Sequence, residues 1–114
     1  MRLVNRTAVV LHPRAPFIDW VVGTLEPDLA LSRESVAEPA NSYLLPPIED
    51  PADKERFLRQ YFKRMFEAEL EAWVTNPREW PTRDLTTFRA WFHATFHELV
   101  FDLAPDSLLA EEEP

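Results

Sequence analysis

The chain has 114 residues, a net charge of −8, eleven prolines, one glycine (Gly23) and no cysteine. One domain fits this length and two do not. The missing cysteine excludes disulfides, thiolate-bound zinc, iron–sulfur clusters and thiol nucleophiles, and a single glycine excludes the glycine-rich phosphate loops and the serine nucleophile elbow.

Hydrophobic residues make up 46% of the chain, with eight Phe and four Trp, enough to build a core without staples. The charge is uneven. Arg2, Arg6 and Arg14 make the start basic, whereas Glu98, Asp102, Asp106, Glu111, Glu112 and Glu113 face no base from residue 98 to the end. An overall negative field repels phosphate backbones and suits a basic protein partner, so no nucleic acid is expected. No apolar run is long enough to span a membrane. The stretch Met1-Arg2-Leu3-Val4-Asn5-Arg6 does not read as a signal peptide. A cytoplasmic location is expected.

Thr7-Ala8-Val9-Val10-Leu11 is apolar and β-branched, and reads as a central strand buried on both faces. Pro16 suits the first turn of a helix through Leu25, with Phe17, Trp20, Val21, Thr24 and Leu25 on one stripe. Ser32 is placed to cap a short turn of helix through Ala37, which Pro39 stops. Ser42-Tyr43-Leu44-Leu45 is a second strand, cut off by Pro46-Pro47.

A long helix follows from about Pro51 to Val74. Asp50 is its expected cap, and Phe57, Leu58, Tyr61, Phe62, Met65, Phe66, Leu70 and Trp73 recur at helical steps. Glu67, Glu69 and Glu71 crowd its C-terminal end, where the helix dipole prefers bases. Thr82 to about Phe92 forms another helix, with Thr82 as its cap. Next, Phe96, Glu98, Val100 and Asp102 alternate with His97, Leu99, Phe101 and Leu103, which predicts a strand from about Thr95. Residues 110–114 read as an acidic disordered tail after a single domain over residues 1–109.

The expected fold is α+β: a small two-layer sandwich of about three strands and three helices in the order β-α-β-α-α-β. The first two strands are expected to be parallel through a right-handed crossover. Asn5-Arg6-Thr7-Ala8-Val9-Val10, Pro16-Phe17-Ile18-Asp19-Trp20, Tyr43-Leu44-Leu45-Pro46 and Phe96-His97-Glu98-Leu99-Val100-Phe101-Asp102-Leu103 are similar to landmarks of a family of small, acidic, uncharacterised bacterial proteins. This resemblance implies a bacterial cytoplasmic setting and carries over no catalytic residue.

Three groups of residues are candidates for chemistry. His93 and His97 share a face on either a helix or a strand, and His12 approaches them if the first strand neighbours the last. His93 and His97 are the best metal-ligand pair in the chain, to which Glu98 and Asp102 add carboxylates, although on a strand these point to the opposite side from His97 and the metalloprotease pattern is absent. Asp19 and Asp102 sit within apolar elements and serve either as general acid or base or as ion-pair partners of an arginine such as Arg6 or Arg89. Trp73, Trp80 and Trp91 form either a docking surface or core, with Trp80 the most exposed. The leading expectation is a protein-interaction module of inhibitor, immunity or adaptor type, with no cofactor and a basic partner lost as salt rises. The alternatives are a small metal- or carboxylate-dependent enzyme using His93 and His97, and a homodimer compatible with either.

Overall fold

The computed structural model describes residues 1–25 and 32–104, so the expected tail at 110–114 lies outside the described residues. Prolines and apolar spacing set most boundaries. A short strand β1 (Arg2–Val4) precedes β2 (Thr7–Pro13), and Pro16 sits in the first turn of helix α1 (Ala15–Thr24). The Ser32 hydroxyl accepts from the Ser35 amide at 3.1 Å and caps α2 (Arg33–Ala37). Strand β3 (Ser42–Leu45) then leads to the long helix α3 (Asp53–Glu71). A 3-10 turn (Pro77–Glu79) precedes α4 (Leu85–Trp91), which runs directly into β4 (Phe92–His97) and β5 (Val100–Asp102).

Several expected boundaries move. Asp50 does not cap α3 with its side chain. Its carboxylate closes a tight turn onto the Ala52 amide at 2.8 Å, while Asp53 takes the Glu49 and Asp50 amides at 3.0 Å each. Asp84, not Thr82, caps α4, accepting from the Thr87 amide at 2.7 Å. The last strand starts at Phe92 instead of Thr95, and α3 stops at Glu71 instead of Val74.

The order in the main sheet is β3-β2-β4, with β2 central and antiparallel to both neighbours. The expected parallel crossover does not form. Two packed helices, α1 and α2, separate β2 from β3. An even number of passes returns the chain to the end where β2 stopped, and Ser42 pairs beside Val10.

β1 and β5 make a second, two-stranded sheet that continues the β2–β4 pair as an arm. Between the last pairs of the two ladders, Val4↔Val100 and Ala8↔His97, there are three residues on one strand (Asn5, Arg6, Thr7) and two on the other (Glu98, Leu99). This extra residue is a β-bulge, which inverts the in–out alternation of the strand carrying it. Leu3 thereby comes to pair with Phe101.

Val9 and Leu11 of β2, Leu45 of β3 and Phe92 of β4 join Phe17, Val21, Val36, Phe57, Leu58, Met65, Phe66, Leu70 and Phe88 of the helices in one core. The helices therefore cover one face of the main sheet, giving an α+β domain of two layers. β2 is not buried on both faces as expected: Thr7, Val9 and Leu11 are buried, while Ala8, Val10 and His12 between them are half-buried. No helix among the described residues is long and apolar enough to cross a membrane.

Candidate functional site

The face of the sheet turned away from the helices carries Ala8, Val10 and His12 from β2, Ser42 and Leu44 from β3, and His93, Thr95 and His97 from β4. These positions alternate with the core-facing ones and pair across the ladders as Ala8↔His97, Ala8↔Leu44, Val10↔Thr95, Val10↔Ser42 and His12↔His93. On the arm Phe101 pairs with Leu3, and Leu99 and Leu103 lie two positions to either side of Phe101, all four exposed. The bulge brings Leu3 onto the same side, opposite Phe101.

This face is where the molecule leaves its large apolar side chains in water. Among the described residues seven large hydrophobic side chains are exposed: Met1, Leu3, Val22, Leu44, Leu99, Phe101 and Leu103. Leu3, Leu99, Phe101 and Leu103 belong to the arm, Met1 precedes it, and Leu44 lies on the open face of the main sheet beside Ala8. Leu103 is 75%, Leu99 68% and Leu3 61% exposed, too much for a rim half-covered by its own chain. The alternation expected after Thr95 is present, but the more apolar set points outward. Phe96 packs on the core and Asp102 is half-buried, whereas Leu99 and Phe101 are solvated.

The three histidines fall together on this face. His12 Nε2 and Thr95 Oγ1 are 3.0 Å apart, Thr95 Oγ1 and His97 Nε2 are 3.2 Å apart, and the His12 and His93 rings lie 6.0 Å centre to centre. The Thr95 hydroxyl also reaches the Val10 carbonyl as a donor at 3.4 Å, so its single proton has three acceptors within reach. The arrangement is a hydrogen-bonded chain along a solvated strand pair. Among the described residues no group of three His, Asp or Glu side chains is placed to hold a metal ion.

The remaining candidates do not converge with the histidines. Asp19 is exposed and pairs with Arg33 at 2.6 Å; Asp102 pairs with Arg2 at 3.4 Å on the arm. Pairing with arginine is one of the two expected roles, but the partners are not Arg6 or Arg89. Arg6 bonds its neighbour Asn5, and Arg89 pairs with Glu55. Trp73, Trp80 and Trp91 are all half-buried against the core. The Trp80 indole donates to the Val74 carbonyl at 2.7 Å beneath the Arg83 guanidinium, and Trp91 packs on Phe17, Trp20 and Phe66.

The groups whose titration the fold shifts also lie off this face. Burial, followed by the hydrogen bond to Glu69, pushes the Tyr43 hydroxyl far above the ordinary tyrosine range. The Glu49 amide holds the Asp53 carboxyl low, the Thr87 amide does the same for Asp84, and Arg89 does so for Glu55. Each serves a turn, a cap or an ion pair. Two of the acids at the end of α3 find partners too: Glu67 faces Arg83 at 3.7 Å, and the buried Glu69 accepts from Tyr43 at 2.5 Å and Asn41 at 2.7 Å.

No protein-family model, no curated protein and no solved structure matches this chain. Sequence reasoning identified the histidines but passed over Leu3, Leu44, Leu99, Phe101 and Leu103. The available signal was an alternating segment with leucine and phenylalanine on one side and carboxylates on the other; nothing in it says which side is covered.

Proposed function

We propose that the protein is an interaction module that docks through the open face of its sheet. The observation that carries this reading is that six of the seven exposed large apolar side chains lie on the arm and the adjoining sheet. A soluble monomer scatters such side chains singly, and a contiguous patch marks a contact site. An inhibitor, immunity or adaptor role fits this size and surface. The bacterial cytoplasmic setting implied by the resemblance belongs to the same reading.

The contact is apolar, not ionic. The strand positions on the face carry no carboxylate, so the net charge of −8 is not what a partner would read there. Capture from native-host lysate at low and high salt tests the proposal. A partner should be retained at high salt, lost with Phe101→Glu and kept with Val22→Glu, whose site is exposed but lies on α1. A partner held equally by Phe101→Glu would overturn docking through this face. The alternative enzyme on His93 and His97 lacks a converging set of groups, and no observation favours it.

A further inference from the structure

We infer that the open face is covered by a second copy of this chain, packed face to face as a two-fold dimer. The inference rests on the docking reading above and names its occupant.

Size is the first argument. The six side chains Met1, Leu3, Leu44, Leu99, Phe101 and Leu103 together expose on the order of 700 Å². With the main-chain share removed, that is comparable with the roughly 300–600 Å² of the largest apolar patch on a typical monomer, which is often functional. Ala8, Val10 and the flanking polar positions add to it, toward the ~800 Å² per partner of a standard stable interface.

Charge is the second. The chain carries a net −8, and two copies repel wherever their acids meet. The ladder positions of this face hold no Asp, Glu, Lys or Arg side chain. The nearby acids lie elsewhere: Asp102 pairs with Arg2 in the alternate register, and Glu98 lines a depression with Lys54 and Asp50 beside α3. The nearest base, Arg6, sits at the rim next to Leu44. A basic or acidic partner would find no complement on such a surface. Another uncharged apolar face would, and each copy carries one.

Distribution is the third. The apolar side chains run along the arm and the adjoining part of the sheet, while His12, His93, Thr95 and Ser42 occupy the far end. A polar margin on the sheet side of the apolar patch fits an interface centred on the arm. A two-fold axis through the arm places Leu3 and Phe101 of one copy against the same pair of the other, with the sheets about 10 Å apart. The bulge has a role here, because without the extra residue between Val4 and Ala8 the arm would present Arg2 and Val4 instead of Leu3.

Sedimentation equilibrium on the purified full chain from about 1 to about 100 µM decides the question. The expected result is a species of twice the 13.4 kDa chain mass. Leu3→Glu and Phe101→Glu should each weaken it on the order of 100-fold and yield the monomer, while Val22→Glu leaves it unchanged. All three sites are exposed, and far-UV circular dichroism checks that each variant is folded; Leu103→Glu, more exposed still, replaces any that is not. A monomer throughout the concentration range overturns the inference, and so does a dimer that survives both arm substitutions. If the chain is monomeric yet captures a different protein that Phe101→Glu releases, docking through the face stands and only the second copy is excluded. If it is monomeric and captures nothing, both fall.

Discussion

Asp53 shows how much one carboxylate does at the start of α3. It accepts the Glu49 and Asp50 amides at 3.0 Å each and holds Arg56 at 2.6 Å. The Glu49 hydrogen bond is the leading reason that its carboxyl is held below the ordinary aspartate value, with Asp50 and Arg56 adding to it against the opposing effect of burial. A carboxyl depressed in the folded state contributes stability that is complete above its unfolded value of about 4 and is lost as pH falls through the lower folded value. Asp53→Asn should therefore be less stable at neutral pH and lose less on acidification, as read by urea unfolding at a series of pH values. Glu69 is the second such residue. It is buried and accepts from both Tyr43 and Asn41. Glu69→Ala removes the acceptor that Tyr43 and Asn41 share, leaves the Tyr43 hydroxyl only the Met65 carbonyl at 3.5 Å, and should cost about 1–3 kcal/mol, measured by the same unfolding experiment. An acid near a helix C-terminus opposes the dipole, and this pair of hydrogen bonds is what retains it there.

Caps and the bulge act at the scale of the element. Asp84 satisfies the Thr87 amide at the open end of α4, a helix of only seven residues that cannot persist on propensity alone. Asp84→Ala should cost about 1 kcal/mol and leave the topology unchanged, as measured by chemical unfolding and far-UV circular dichroism. The bulge makes a sharper prediction. Deleting Asn5 equalises the two segments between the ladders, so β1 should rotate by one position and turn Leu3 to the other side of the ribbon. Nuclear Overhauser contacts between the Leu3 and Phe101 side chains should vanish while those between Ala8 and His97 persist. The long helix α3 needs neither device. Its helical-period row of large apolar side chains packs against the sheet and α4, and that burial holds it.

At the scale of the whole molecule, an aromatic cluster joins the helices to the sheet. Phe66 is fully buried, with Phe88, Trp91 and Phe92 at ring separations of 5.6, 5.8 and 5.8 Å. Phe17 extends the cluster to α1 through Phe92 at 4.7 Å. Phe66→Ala should cost about 3–5 kcal/mol, a large share of the roughly 5–15 kcal/mol that holds a domain of this kind, and calorimetry should show the midpoint falling steeply. The helices spend themselves on this one face. The opposite face keeps Leu44, Leu99 and Phe101 in solvent, and that asymmetry underlies the docking proposal.

The sequence alone determined what depends on neighbours a few residues apart. Pro16, Pro39 and Pro46 mark boundaries because a proline cannot donate, Ser32 caps because its hydroxyl reaches an amide three residues on, and the row from Phe57 to Leu70 is helical because its period matches the turn. The α+β class follows from these local elements, as does the alternation of His97, Leu99, Phe101 and Leu103 with the residues between them. Only the tertiary structure decided what depends on distant parts of the chain. The antiparallel β2–β3 pair, the meeting of Arg2 with Asp102 and the convergence of His12 on His93 join segments tens of residues apart. Their closure depends on how all the elements pack together. The same holds for the site. Period-two alternation specifies two faces without ranking them, and the helices settle which one is buried by where they come to rest.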